Sequence, residues 1–185
     1  MGIDPRIGSN YMQPGPGFGG PCLEKDLMAL IELGNFYDLE STFMKAILKR
    51  NERQVELILD KIISEIKDSG SLITILGLSF KANTDDIRNS ASIKLINLLL
   101  GKGYKVNSYD PKAKYRLKNE NYFQFDDLYS AFNKSNCAVI MTEWDDFKNL
   151  DFIKISNLMS SNIILDMRNI IAVSYTHLTL PTNGT

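Results

Sequence analysis

The run Ser71-Leu72-Ile73-Thr74-Ile75-Leu76-Gly77-Leu78-Ser79-Phe80-Lys81 decides the fold. Its apolar part is short, rich in β-branched residues and punctuated by glycine, so residues 72–78 read as a buried strand. The pattern then repeats. Residues 105–109, 137–142 and 163–167 are further short apolar runs, and 90–100, 126–133 and 151–159 carry helical spacing between them. Strands that alternate with helices predict a parallel sheet covered on both faces. Residues 70–171 are therefore expected to form a small doubly wound α/β domain.

Upstream the texture is different. Residues 1–22 alternate Pro5, Pro14, Pro16 and Pro21 with Gly8, Gly15, Gly17, Gly19 and Gly20, a density that forbids regular structure and lets backbone approach a ligand closely. A short helix is expected over 23–33, stopping at Gly34. A long amphipathic helix over 38–68 follows, with Leu39, Phe43, Ile47, Leu48, Val55, Ile58, Leu59, Ile62 and Ile66 at three- and four-residue steps. About 30 residues of helix would reach about 45 Å, longer than a compact domain of this size needs, so it is expected to bridge domains or meet a partner subunit. Residues 1–69 thus form a loop-and-helix module. Residues 172–185 have no periodicity and are expected to be a disordered or non-native tail.

Composition narrows the function classes. The 185 residues are 44% hydrophobic and 23% charged, with 21 basic against 22 acidic side chains. Such a balance offers no strong field for nucleic acid or an anionic membrane. Residues 1–10 contain no apolar signal core, and no apolar run is long enough to span a bilayer. Cys22 and Cys137 follow no metal spacing and imply no disulfide framework, so a reduced, cytoplasmic protein is expected. His177, the one histidine, falls in the tail and is no candidate base.

Two constellations can carry chemistry. The first is Gly17-Phe18-Gly19-Gly20-Pro21-Cys22-Leu23-Glu24-Lys25-Asp26. Cys22 falls where a helix begins, and the unpaired backbone N–H groups there favour a thiolate, with Lys25 pushing the same way. Asp26 comes one helical turn later, on the same face. A thiol beside a carboxylate suits covalent catalysis followed by hydrolysis. A small core cysteine with an ordinary first-turn carboxylate is an equal alternative from spacing alone. The second constellation runs from Gly77 to Ser90, between a strand and a helix, where doubly wound sheets bind ligands. It lacks the dinucleotide glycine fingerprint and the phosphate-loop pattern. Lys81 and Arg88 nonetheless place two cations in one loop, unless Asp85 and Asp86 neutralise them. Tyr109-Asp110-Pro111, Thr142-Glu143-Trp144 and Asp166-Met167-Arg168-Asn169 end other strands on the same edge; each by itself reads as a turn. Cys137 reads as a core residue.

Taken together in this order, these segments resemble the UDP-glucose/GDP-mannose dehydrogenase family. The match rests on Asp4-Pro5-Arg6-Ile7-Gly8, on residues 14–20, on Cys22 to Asp26, on Leu76 to Lys81 with Asn83 to Arg88, and on the later strand ends up to Arg168. The resemblance implies a three-part NAD-dependent enzyme of polysaccharide biosynthesis. This chain would supply the central dimerisation helix and a Rossmann-like UDP-sugar domain, and would lack the N-terminal NAD domain, leaving it a fragment inactive alone. It implies catalytic roles for Cys22, forming a thiohemiacetal and then a thioester, and for Asp26, positioning the hydrolytic water. Substrate contacts would come from Arg6, Phe18, Gly19, Gly20, Phe80, Lys81 and Arg168, with Arg6 reaching across a homodimer. Lys25 and Arg88 would lie on the NAD side. The motif around Cys22 resembles the UDP-glucose and GDP-mannose enzymes more than the N-acetylated-sugar branch, and oxidation of UDP-glucose to UDP-glucuronate is the implied reaction. A GDP-mannose enzyme fragment and a non-catalytic UDP-sugar-binding dimer are the alternatives.

Overall fold

The computed structural model describes residues 2–9 and 12–171; the tail expectation for 172–185 lies outside them. Helix α1 spans Leu23–Phe36 and α2 spans Thr42–Glu65. Strand β1 (Leu72–Leu76) leads into α3 (Ala91–Gly101) and β2 (Lys105–Tyr109). Then come β3 (Tyr122–Gln124), β4 (Cys137–Ile140), α4 (Phe152–Leu158) and β5 (Ile164–Asp166). All five strands are parallel, in the order β3-β2-β1-β4-β5. The chain therefore winds outward from β1 in one direction and from β4 in the other, which opens a crevice where the two directions part. The expected α/β architecture with a parallel sheet is what forms.

Period-two alternation divides the strands between two cores. Ile73, Ile75, Val106, Cys137 and Val139 face α2 and α3, together with Val55, Ile58, Leu59, Ile62, Leu95, Ile96 and Leu99. Leu76, Ala138 and Ile140 face the other way, onto Phe132, Trp144, Phe147 and Ile155.

Several boundaries differ from the sequence reading, each for a local reason. Helix α1 continues through Gly34 to Phe36. Asp38 takes the left-handed conformation (φ 52°) instead of Gly34. The Leu39 N–H then donates to the Gly34 carbonyl (2.8 Å) and the Asp38 N–H to that of Asn35 (3.3 Å), the paired bonds that close a helix end around one left-handed residue. Helix α2 has 24 residues rather than about 30, because this cap consumes its start. Its far end stops at Ile66, which is extended and buried, with its carbonyl accepting from the Tyr104 hydroxyl (3.1 Å). Only the C-terminal half of α2 is buried; Leu39 and Phe43 are exposed.

The helix expected over 126–133 shrinks to a single 3-10 turn, Ser130–Phe132. The Ser130 N–H, which a helix over 126–133 would aim at the Asp126 carbonyl, donates instead to Asp127 Oδ2 (2.8 Å), and the Ala131 carbonyl accepts from Thr74 Oγ1 (2.7 Å) and Asn107 Nδ2 (3.1 Å) of the sheet. Strand β3, three residues at the sheet edge, was not expected at all.

Ile62 is fully buried between α2 and the sheet, whereas Ile153 on α4 is 77% exposed. Ile62→Ala is expected to cost about 2–5 kcal/mol and Ile153→Ala about 0.5 kcal/mol or less, read from urea unfolding midpoints. Equal midpoints would contradict this assignment of the core.

Candidate active site

The carboxyl ends of β1, β4 and β5 open onto a cleft of about 640 Å³, roofed by the glycine-rich loop before α1. Phe18, Gly19, Phe80, Glu143, Lys148 and Arg168 line it.

The floor is held by Asp110 at the end of β2. This carboxylate is 2% exposed and has no cation beside it among its hydrogen-bond partners; it is surrounded by donors. Oδ2 accepts from the Leu78 N–H (2.7 Å), from the Ser79 N–H and hydroxyl (both 3.1 Å) and from Trp144 Nε1 (3.2 Å). Oδ1 accepts from the N–H groups of Lys112 (2.9 Å) and Ala113 (2.7 Å). Strand β1 therefore ends at Leu76, and Leu78 and Ser79 turn away from the sheet to reach this carboxylate. Asp110 reads in sequence as part of an ordinary turn; its service to three strand ends does not show there.

Arg168 stands at the end of β5. Its Nε donates to the Met141 carbonyl (3.0 Å) and its Nη2 to that of Phe80 (3.3 Å). Glu143 Oε2 also lies 3.0 Å from Nε. That N–H is aimed at Met141, so Glu143 contributes charge there and makes no hydrogen bond through Oε2. Burial lowers the guanidinium pKa from its ordinary value, and the Glu143 charge works against that shift. Much of Arg168 is thus engaged in joining strand ends, while its outer edge lines the cleft.

The roof is pinned from two sides. Gly17 has φ +102° and Gly20 has φ +83°, conformations that side chains rarely adopt. A Cβ on Gly17 would lie 2.5 Å from Asn51 Oδ1, and one on Gly20 would lie 2.8 Å from the Phe80 ring. Asn51 Oδ1 accepts from the Phe18 N–H (2.8 Å) and its Nδ2 donates to the Phe18 carbonyl (2.9 Å). On the other side the Gly20 N–H donates to the Arg88 carbonyl (2.9 Å). Asn51 did not figure among the expected site residues. Its signal is present nonetheless: it falls in the apolar row of α2, four residues from Ile47 and four from Val55, where a polar side chain needs a partner.

Cys22 is exposed at the N-cap of α1, and its neighbour Leu23 lines the cleft. The Asp26 N–H donates to the Cys22 carbonyl (2.8 Å), which places Asp26 one turn along. The Asp26 carboxylate pairs with Lys25 at 3.1 Å, both well exposed. Asp26 first, then Cys22, raise the Lys25 pKa. Asp86 raises the Arg88 pKa through their ion pair (2.6 Å), with a smaller part from Cys22. Asp86 therefore neutralises one of the two cations in the Lys81 loop. Lys81 itself is exposed, its Nζ 5.5 Å from the Phe80 ring centre.

The structure thus brings Phe18, Gly19, Phe80 and Arg168 into one cleft, with Gly20 against the Phe80 ring and Cys22, Lys25 and Arg88 beside it. It does not bring in Arg6, which is exposed and paired with Asp4 (2.7 Å). Among the described residues no group of acidic, cysteine or histidine side chains could hold a metal, and no helix is long and apolar enough to cross a membrane.

Residues 74–173 match the family model described as UDP-glucose/GDP-mannose dehydrogenase family, UDP binding domain, and residues 1–53 match that family's central domain. The UDP-glucose 6-dehydrogenase of Rickettsia conorii is 38% identical over 177 residues, which is 92% of this chain and 41% of that protein. Bacillus subtilis TuaD, also a UDP-glucose 6-dehydrogenase, is 31% identical over 94% of this chain and 38% of its own length. In structure the chain is similar to a UDP-glucose dehydrogenase from Pyrobaculum islandicum (TM-score 0.81, 30% identity, 91% of this chain and 38% of that one). It is also similar to a GDP-mannose dehydrogenase from Pseudomonas aeruginosa (TM-score 0.74, 28% identity, 91% and 40%).

The two cysteines differ enough to be told apart chemically. Burial, followed by the nearby Glu65 charge, pushes the Cys137 thiol up to about 12, while Cys22 is exposed. At about pH 8 iodoacetamide is expected to label Cys22 and to spare Cys137 until the chain is denatured. Peptide mass spectrometry reads both sites, and labelling of Cys137 in the folded chain would contradict its placement.

Proposed function

The chain belongs to the UDP-glucose/GDP-mannose dehydrogenase family, and from that premise we propose that it is the central and C-terminal part of an NAD-dependent UDP-glucose 6-dehydrogenase with Cys22 as nucleophile. The observation that carries this reading is the position of Cys22. It ends the loop that roofs the cleft, and the cleft floor is the family's UDP-binding domain. The chain spans 41% of the Rickettsia conorii relative, so nucleotide-sugar binding is the part of the reaction expected of this chain by itself.

In this reading Lys81, exposed at the rim, meets the diphosphate as a point charge, and Phe18, Gly19, Gly20 and Phe80 enclose the sugar. Arg168 supports the cleft and offers its outer N–H groups to the uridine diphosphate. Lys25 and Arg88 are exposed cations electrostatically coupled to Cys22, so they suit the edge of an anionic dinucleotide and are the residues assigned to NAD. When bound, NAD would supply the hydride acceptor, two molecules in turn for the four-electron oxidation of C6 from alcohol to carboxylate. Cys22 Sγ bonds to C6 of the sugar aldehyde, and the carbonyl oxygen takes up a proton to give a thiohemiacetal. Once C6 reaches the thioester level, water attacks it, the C–S bond breaks and the thiolate leaves, giving the uronate. Asp26, one turn from Cys22 and shared with Lys25, orients that water and accepts its proton.

A homodimer is part of the same reading. Phe36, Tyr37, Leu39 and Phe43 form an exposed apolar group where α1 meets α2, larger than an isolated surface residue and suited to burial against a second copy. Arg6, exposed and outside the lining of its own cleft, is free in this arrangement to exchange Asp4 for the neighbouring copy's substrate. A cytoplasmic location accords with two reduced cysteines.

In the full-length enzyme carrying this segment, Cys22→Ser is expected to abolish uronate production, as read by product chromatography. Unchanged turnover would sink the mechanism. For the chain by itself, Lys81→Ala is expected to weaken UDP binding by about tenfold or more, equivalent to about 1.4 kcal/mol, in calorimetric titration; unchanged affinity would remove Lys81 from the site. Sedimentation of the chain is expected to give a dimer that Phe43→Lys dissociates, and a wild-type monomer would remove the dimer from the reading.

A further inference from the structure

The roof of the cleft is attached as firmly as its walls. Phe18 is joined to α2 through Asn51, whose carboxamide meets both polar groups of its backbone, N–H to Oδ1 at 2.8 Å and Nδ2 to carbonyl at 2.9 Å. Near neutral pH a carboxamide is the side-chain group that donates and accepts side by side, as a neighbouring strand does. The fit depends on Gly17, since a Cβ there would lie 2.5 Å from Asn51 Oδ1.

Asn51 is not an isolated surface contact. The same helix carries Val55, Ile58, Leu59 and Ile62 into the core with α3 and the sheet. A rigid element that is fixed to the floor of the cleft therefore also fixes its roof. The second pin, from the Gly20 N–H to the Arg88 carbonyl (2.9 Å), reaches the loop from the β1–α3 side. Between the two pins lie Phe18, Gly19 and Gly20, and Cys22 follows two residues after the second.

We propose that Asn51 is a positioning residue for nucleotide-sugar oxidation: through the Phe18 peptide it sets the height of the roof over the sugar and the approach of Cys22 to C6. This rests on the dehydrogenase reading. Asn51 touches neither substrate nor sulfur; it acts through backbone. The expected signature is a loss in the chemical step with nucleotide affinity kept, because Lys81 and the strand ends do not depend on this contact.

The test uses two variants. Asn51→Asp keeps the shape and still accepts from the Phe18 N–H, but its ionised form sets a carboxylate oxygen against the Phe18 carbonyl. Protonation restores a donor at that position. In the full-length enzyme, kcat of Asn51→Asp is expected to fall about tenfold or more near neutral pH, since small displacements of reacting groups are costly. UDP affinity should stay within about twofold of wild type, below the scale of a lost direct contact. The ratio of Asn51→Asp to wild-type kcat should rise as pH falls through the carboxyl range. Asn51→Ala should lose kcat with no such recovery, and in the chain by itself should lose the hydrogen-exchange protection of the Phe18 amide that Asn51→Asp retains.

A flat kcat ratio across pH, or wild-type kcat in Asn51→Ala, overturns the proposal. Loss of UDP affinity in step with kcat also overturns it, because it would mark Asn51 as a general structural support. Those outcomes remain distinct from failure of the dehydrogenase reading, which would appear as continued oxidation in Cys22→Ser.

Discussion

One buried carboxylate organises the functional end of this molecule. Asp110 collects donors from the loop after β1, from its own turn after β2 and from Trp144 after β4. A buried carboxylate is costly unless its lone pairs are filled. The donors that fill them here come from peptide N–H groups, a hydroxyl and an indole. Each segment that gives a donor loses its freedom to wander, so the requirement to satisfy one anion becomes a common reference point for three strand ends. Arg168 does the complementary task from β5, donating to carbonyls of the Phe80 loop and of the β4 end. An acceptor hub and a donor hub together make the floor of the cleft stiff.

Against that floor, the roof is defined by what is absent from it. Gly17 and Gly20 leave room for Asn51 and for the Phe80 ring, and both hold backbone angles that a side chain would strain. The thiol at the end of the roof is thus placed by backbone contacts from two directions. Its setting is electropositive on one side, where Lys25 and Arg88 lie, and each of those cations is partly balanced by its own aspartate.

Much of this was legible in the sequence because it is local. A β-branched run ended by glycine announces β1, a polar residue before an amphipathic stretch announces α3, and the position of Cys22 at a helix start follows from Pro21 and the apolar spacing behind it. What failed depends on distant partners. The 126–133 helix gives way because the Ser130 N–H goes to the Asp127 side chain while the Ala131 carbonyl is drawn to Thr74 and Asn107 of the sheet. Strand β3 is three residues long, and its Phe123 is exposed, so neither length nor alternation marks it. Gly34 reads as a helix stop, yet Asp38 can take the left-handed position through its short polar side chain. Asp110 and Asn51 carry no local sign of their partners; only the interruption of an apolar row hints at the second.

The bonds that shape the cleft join residues remote along the chain: 33 apart for Asn51 and Phe18, 69 for Asn89 and Gly20, and 88 for Arg168 and Phe80. Contacts of that span form only after the intervening chain has been brought together. Of these three bonds the Arg168 one closes last in synthesis, since β5 is the last strand among the described residues. A growing chain halted before Asp166 would already contain Cys22 and most of the sheet, but its cleft would have no far wall. The exposed thiol and the completed cleft are thus separated in time during biosynthesis, and the thiol gains its full surroundings only once β5 is in place.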